Sequence, residues 1–200
     1  SRFLDGRRSS VKAVVDTNVV AYLVLGTAAF AEEARTCFET VSAPLAPAHW
    51  DAEVTNVIWM AMRTGVLSPE EGPVRLGLAR RLGIETVPTA TLCQGALMRA
   101  VTSGVPVYDT LFVELAVRSR CPLVTFDKAV LRAFPEIATR PRDLEARESS
   151  EQAGAHLTLT LGRWLLSGSA PAGISTPHVR IGTPALRRTA RASTCRGGSP

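Results

Sequence analysis

The sequence predicts an α/β domain of three layers: a central, mostly parallel sheet of about four or five strands, with helices on both faces. Two observations predict it. Short apolar, β-branched runs alternate with amphipathic stretches from Val11 to Thr139, and strands separated by helices join through right-handed crossovers into parallel sheet. Glycine or proline stands at nearly every change of pattern, marking where one element stops and the next starts. The chain of 200 residues is 46% hydrophobic, enough for one domain with a substantial core.

Val11–Val15 is apolar and β-branched, as a buried strand requires. Thr17–Leu25 continues as a helix stopped by Gly26, and a second helix is expected over Ala28–Val41. Pro44 and Pro47 bracket a short strand, Leu45–Ala46. Trp50–Arg63 is a helix closed by Gly65; Val54, Val57, Ile58 and Ala61 form its apolar stripe. Ser68–Glu71, "SPEE", is a capping box with Pro69 at the first helical position, and Gly83 ends the helix it opens. Strands are expected at Ile84–Val87, Pro122–Phe126 and Ile137–Thr139. Helices are expected at Thr89–Ser103, Tyr108–Arg118 and Lys128–Ala133.

The net charge of +5 belongs to the end of the chain. From Arg147 onward there are seven arginines and two acidic residues, which leaves 16 of each sign before it. The basic pI therefore says little about the surface of the main domain. Residues 1–10 are expected to be an N-terminal extension, and residues 146–200 a disordered tail rich in Arg, Ser, Gly and Pro. Cys37, Cys93, Cys121 and Cys195 are widely spaced, form no CxxC pair and match no zinc pattern with His49, His156 or His178. Together with the lack of a signal peptide, this points to reduced thiols and a cytoplasmic protein. No apolar run approaches the ~20 residues that span a bilayer, so no membrane partner is expected.

Four acidic residues stand at element boundaries. Asp16 follows the first strand in "VVDTNVV", and Asp127 follows a later one in "VTFDKAV". Asp109 lies in the first turn of a helix in "VPVYDTLF", and Glu53 in the first turn of the Trp50–Arg63 helix. Singly, each has an ordinary reading as a cap, a dipole partner or a solvated side chain. Ligands of open α/β sheets bind outside the carboxyl ends of the strands, and there the four could converge. Two carboxylates ~4 Å apart repel by about 4 kcal/mol at an effective dielectric of roughly 20. A converged set must therefore bind protons or cations, and an all-oxygen set suits Mg²⁺ or Mn²⁺. Such centres activate water for in-line attack on phosphodiesters.

"VVDTNVV", "EVTNVIW", "VYDTLFVELA" and "LVTFDKAVL" resemble the successive signatures of the PIN domain, in the same order and with similar separations. The intervals are 37 residues from Asp16 to Glu53, 56 to Asp109 and 18 to Asp127. The resemblance covers about Lys12–Leu144, within a domain placed at 11–145, and is greatest to single-domain ribonuclease toxins of the VapC type. It implies a PIN-like fold and an endoribonuclease using Mg²⁺ or Mn²⁺. Asp16 and Asp109 match the most direct metal ligands, and Glu53 and Asp127 complete the catalytic acidic set. Thr17, Asn18, Asn56 and Thr125 match supporting polar positions. It further implies an RNA substrate, a cognate antitoxin and a homodimer. The apolar stretches Ala21–Leu25 and Val54–Met62 are candidates for the antitoxin groove, with Val57 and Ile58 weighted toward the core. Arg63, Arg80, Arg81, Arg99, Arg118, Arg120 and Lys128 are candidates for contact with RNA, Lys128 first among them.

Three other readings stay open at this stage. One is a PIN nuclease of RNA maturation or quality control. Another is a PIN-like binding module without catalysis. The third is a haloacid-dehalogenase-like phosphatase, which requires a second aspartate where this chain has Asn18.

Overall fold

A computed structural model describes residues 11–147, which fall within one compact unit. The N-terminal extension expected over 1–10, and the tail expected from 146 apart from Ala146 and Arg147, lie outside the described residues. Five strands, β1 (Val11–Val15), β2 (Val41–Pro47), β3 (Glu85–Val87), β4 (Leu123–Val124) and β5 (Ala138–Thr139), form one sheet in the order β3-β2-β1-β4-β5. Every pairing is parallel. The helices are α1 (Thr17–Leu25), α2 (Ala31–Thr40), α3 (Trp50–Arg63), α4 (Glu71–Arg80), α5 (Cys93–Ser103), α6 (Val107–Ser119) and α7 (Lys128–Ala133). They flank the sheet to give the three-layer α/β architecture.

The order of the strands places the site. The chain steps outward from β1 to β2 and β3, then returns to lay β4 on the other side of β1. The direction of winding reverses between β1 and β4, and a crevice opens at the carboxyl ends of strands at such a point. Asp16 ends β1 there. β1 is buried apart from Lys12, as a central parallel strand must be. α6 is buried along the continuous run Thr110–Ala116, so it is a core helix able to carry Asp109 on a rigid element.

Glu114 lies within that buried run. Its carboxylate accepts from Arg99 Nε at 2.7 Å and from Arg118 Nε at 2.6 Å. Burial opposes its charge, but the two guanidinium groups prevail and hold its carboxyl below the usual range. Gly95 makes the arrangement possible, because a Cβ there would collide with the Glu114 carboxylate. The ion pair thus sets how closely α5 approaches α6.

Several boundaries differ from the sequence expectation. α2 begins at Ala31 because residues 27–30 form a turn, closed by Phe30 N–H donating to Thr27 O at 2.9 Å. Phe30 is used instead to stack on Tyr22, at 4.6 Å between ring centroids. β2 extends over Val41–Pro47 rather than Leu45–Ala46 alone. Its register with β1 slips between Val11 and Lys12, and β3 pairs only from Leu45 onward. Pro44 is paired with Ala13 of β1 but lies before the β3 pairing, so the other side of the strand is unpaired there and a missing N–H is tolerated. The capping box forms: Ser68 N–H donates to Glu71 Oε2 at 2.8 Å, and Glu71 N–H donates to Ser68 Oγ at 3.2 Å. The regular helix starts only at Glu71, so Pro69 stands ahead of it. The stretch expected as one helix over Thr89–Ser103 is a 3₁₀ turn at Thr89–Thr91 followed by α5.

Candidate active site

Asp16 caps α1 and faces the crevice at once. Its backbone is extended, and its Oδ1 accepts from Asn18 N–H at 3.2 Å. Its Oδ2 accepts from Thr125 Oγ1–H at 2.6 Å and from Asn18 Nδ2–H at 2.8 Å. Thr125 is fully buried just past β4. Asn18 also donates to Thr125 Oγ1 at 3.1 Å and accepts from Phe126 N–H at 3.1 Å. Asn18 and Thr125 thus tie the ends of β1 and β4 together and fix the Asp16 carboxylate between them. Burial pushes the Asp16 carboxyl up to about 6; hydrogen bonds from Thr125 and Asn18 oppose the rise, while Asp109 and Glu53 add to it.

The other three acidic residues come from three separate elements. Burial raises the Asp109 carboxyl, and the charges of Asp127 and Glu53 raise it further. Glu53 Oε2 accepts from Thr17 Oγ1–H at 2.5 Å, a bond that links the start of α1 to the start of α3. Asp127 caps α7, its Oδ1 accepting from Ala129 N–H at 2.6 Å and Val130 N–H at 3.0 Å. Asp127 N–H in turn donates to Thr125 Oγ1 at 2.9 Å. Asp16, Thr17, Asn18, Glu53, Asn56 and Asp109 all line one groove of about 450 Å³, while Asp127 stands beyond its lining. Asp109 and Glu53 are within electrostatic reach of Asp16, and Asp127 and Glu53 within reach of Asp109. Among the described residues, however, no three His, Cys, Asp or Glu side chains are gathered closely enough to hold a metal ion as they stand.

The groove continues past the acidic end. Ala21, Tyr22, Leu25 and Val57 line its apolar wall. Leu25 and Val57 also border a second hollow of about 530 Å³ with Met60, Ala61, Thr64 and Val66. Val57, weighted by sequence toward the core, is only half-buried and serves the groove, whereas Val54, Ile58 and Ala61 are core.

The candidate basic residues separate into groups. Arg80 pairs with Asp51, and Arg99 and Arg118 pair with Glu114. Arg63 lies over the Trp59 ring at 4.8 Å. Lys128 is exposed directly beside Asp127. Sequence reasoning weighed His49 only as a zinc ligand and passed over its place in the site. His49 Nε2 stands 3.6 Å from Glu53 Oε1 and is buried without a hydrogen-bond partner among the described residues. The i, i+4 spacing in "HWDAE" was the available signal.

The PIN domain family model matches residues 13–137. Ribonuclease VapC3 from two strains of Mycobacterium tuberculosis is 31% identical over 129 residues, which span 62% of this chain and 88% of the relative. The crystal structure of PAE2754 from Pyrobaculum aerophilum shares the fold with a TM-score of 0.53 at 22% identity, over 71% of this chain and 99% of that one. The chain belongs to the PIN domain family.

Proposed function

We propose that this chain is a metal-dependent endoribonuclease that hydrolyses RNA phosphodiesters as the toxin of a toxin–antitoxin pair. The observation that carries the reading is uncompensated negative charge. Asp16 and Asp109, 93 positions apart in sequence, face one groove with Glu53; the charges of Asp109 and Glu53 raise the Asp16 carboxyl, and those of Asp127 and Glu53 raise the Asp109 carboxyl. Among the described residues, no arginine or lysine offsets the charge of either carboxylate. A buried carboxyl raised in this way has either a proton or a cation as its natural partner. The donors are all oxygen, the chemistry of Mg²⁺ or Mn²⁺. Asp16 and Asp109 would hold the ion, with Glu53 and Asp127 completing the acidic set. When bound, such an ion polarises a phosphoryl oxygen and makes water a nucleophile near neutral pH.

The protein's own groups do the positioning. Thr125 and Asn18 fix the Asp16 carboxylate, and Thr17 fixes Glu53. Asn56 lines the groove one turn after Glu53, within reach of a bound backbone. Lys128, exposed beside Asp127, is the candidate for contact with RNA phosphate. The similarity to Ribonuclease VapC3 supports RNA as the substrate. Product ends test the chemistry. Attack by water leaves no 2′,3′-cyclic phosphate, so cyclic ends on the products would refute the reading.

The toxin role brings an antitoxin, and the groove between α1 and α3 supports it. An apolar wall leading to an acidic end suits a partner segment with apolar anchors and a basic side chain. Homodimerisation rests on the family relationship alone. No single helix among the described residues is long and apolar enough to cross a membrane. Co-expression with a neighbouring small gene distinguishes a toxin from a nuclease of RNA maturation: a stable complex that suppresses cleavage supports the toxin. A non-catalytic PIN module would bind RNA without cutting it.

A further inference from the structure

Glu53 meets the protein through both carboxylate oxygens, but only one contact is closed. Thr17 Oγ1 donates to Oε2 at 2.5 Å. On the other side, His49 Nε2 faces Oε1 at 3.6 Å, one helical turn back. That distance is too long for a hydrogen bond, and the buried nitrogen has no other partner in the described residues. The ring is held in place. Phe112 meets it edge-on at 5.3 Å between centroids, and Tyr108 lies at 5.9 Å. His49 Nδ1 meets Thr89 Oγ1 at 3.2 Å.

The tautomer follows from these neighbours. If Nδ1 carried the only ring hydrogen, the Nε2 lone pair would point at a carboxylate. If the Thr89 hydroxyl donates to Nδ1, Nε2 carries the hydrogen and points it at Glu53 Oε1. The Glu53 side chain is 34% exposed, free enough to close the remaining gap by a small rotation.

We propose that His49 is a positioning residue for Glu53, its Nε2–H holding Oε1 while Thr17 holds Oε2. This rests on the nuclease reading above. Clamped at both oxygens, Glu53 keeps its negative charge at a fixed place on the rim of the groove. It then holds one fixed place in the groove beside Asp16 and Asp109, as the acidic set of the nuclease reading requires. A single clamp by Thr17 would leave the carboxylate free to rotate about that one bond.

Two arms on the full chain test this. In the ring ¹⁵N NMR spectrum, the hydrogen sits on His49 Nε2, and Glu53→Ala shifts that resonance. An Nε2 without a hydrogen, or a resonance that Glu53→Ala leaves in place, overturns the proposal. In RNA cleavage, His49→Phe keeps the packing against Phe112 but removes the donor. It lowers kcat about tenfold or more, the usual effect of removing an orienting partner, with KM and melting temperature unchanged. His49→Gln returns an N–H near the same place and restores most of the rate. Equal rates in His49→Phe and wild type, or equal losses in both variants, overturn the proposal. Asp16→Asn is the control for the nuclease reading. If it cleaves as wild type does, that reading fails, and the NMR arm still decides the His49 contact. The same arm decides if His49→Phe does not fold.

Discussion

Replacing Asp16 by asparagine should make the metal-free protein more stable at neutral pH while disabling its site. The Asp16 carboxyl is pushed from the ordinary 3.8 to about 6, chiefly by burial. The folded state therefore binds this proton more tightly than the unfolded chain. Its contribution to stability is complete below pH 3.8 and is lost as pH rises through about 6. At 1.36 kcal/mol for each tenfold change in proton affinity, the ionised group costs about 3 kcal/mol above that range. Asparagine removes this cost. Its oxygen can replace Oδ2 opposite Thr125 and Asn18, but its amide group then faces the Asn18 N–H that Oδ1 accepted at 3.2 Å. Losing that weak bond costs about 1 kcal/mol. The balance is a gain of about 2 kcal/mol at pH 7.5, or roughly 6 °C in melting temperature, and a loss of about 1 kcal/mol at pH 4. Thermal melts in EDTA from pH 4 to 8 measure both. If Asp16→Asn is less stable than wild type at pH 7.5, or if the two curves run parallel across pH, the account of Asp16 as a buried, uncompensated carboxylate is wrong.

Other outcomes follow from the same geometry. Saturating Mn²⁺ at about 100 times its Kd should stabilise the wild type at pH 7.5 by about 2.7 kcal/mol; in melts with and without EDTA, Asp16→Asn should show almost none of that gain. Thr17→Val removes the 2.5 Å bond to Glu53 and should slow RNA cleavage roughly tenfold or more. Its loss of stability in urea should be only about 1 kcal/mol. Gly95→Ala would gain helix propensity on an exposed surface, but here its methyl group meets the Glu114 carboxylate. Urea denaturation should show a net loss of about 2 kcal/mol, and a gain would mean that α5 and α6 part freely.

Much of the fold was legible because the periodicity and the glycine and proline punctuation agree with one another. β1, α1, α3 and α7 begin and end where those signals place them. The boundaries that moved depend on contacts distant in sequence. Phe30 leaves α2 to pack on Tyr22 and Phe126, and β2 lengthens because β1 is there to pair with it. At the site, the residue types and order of the acidic set could be read, and so could a supporting role for Asn18 and Thr125. Their mutual bonds span more than 100 positions and leave no local trace in the sequence. Asp127 caps α7 and also raises the Asp109 carboxyl. His49 was missed because its partners, Thr89 and Phe112, meet it only in the folded chain.

The most direct test of the central claim is cleavage of a pool of labelled structured RNAs by purified protein, in Mg²⁺ and in EDTA, with wild type and Asp109→Asn side by side. The account predicts discrete cleavage by the wild type in Mg²⁺, none in EDTA and none by Asp109→Asn in either. Cleavage that persists in EDTA, or that Asp109→Asn carries out at the wild-type rate, would contradict it.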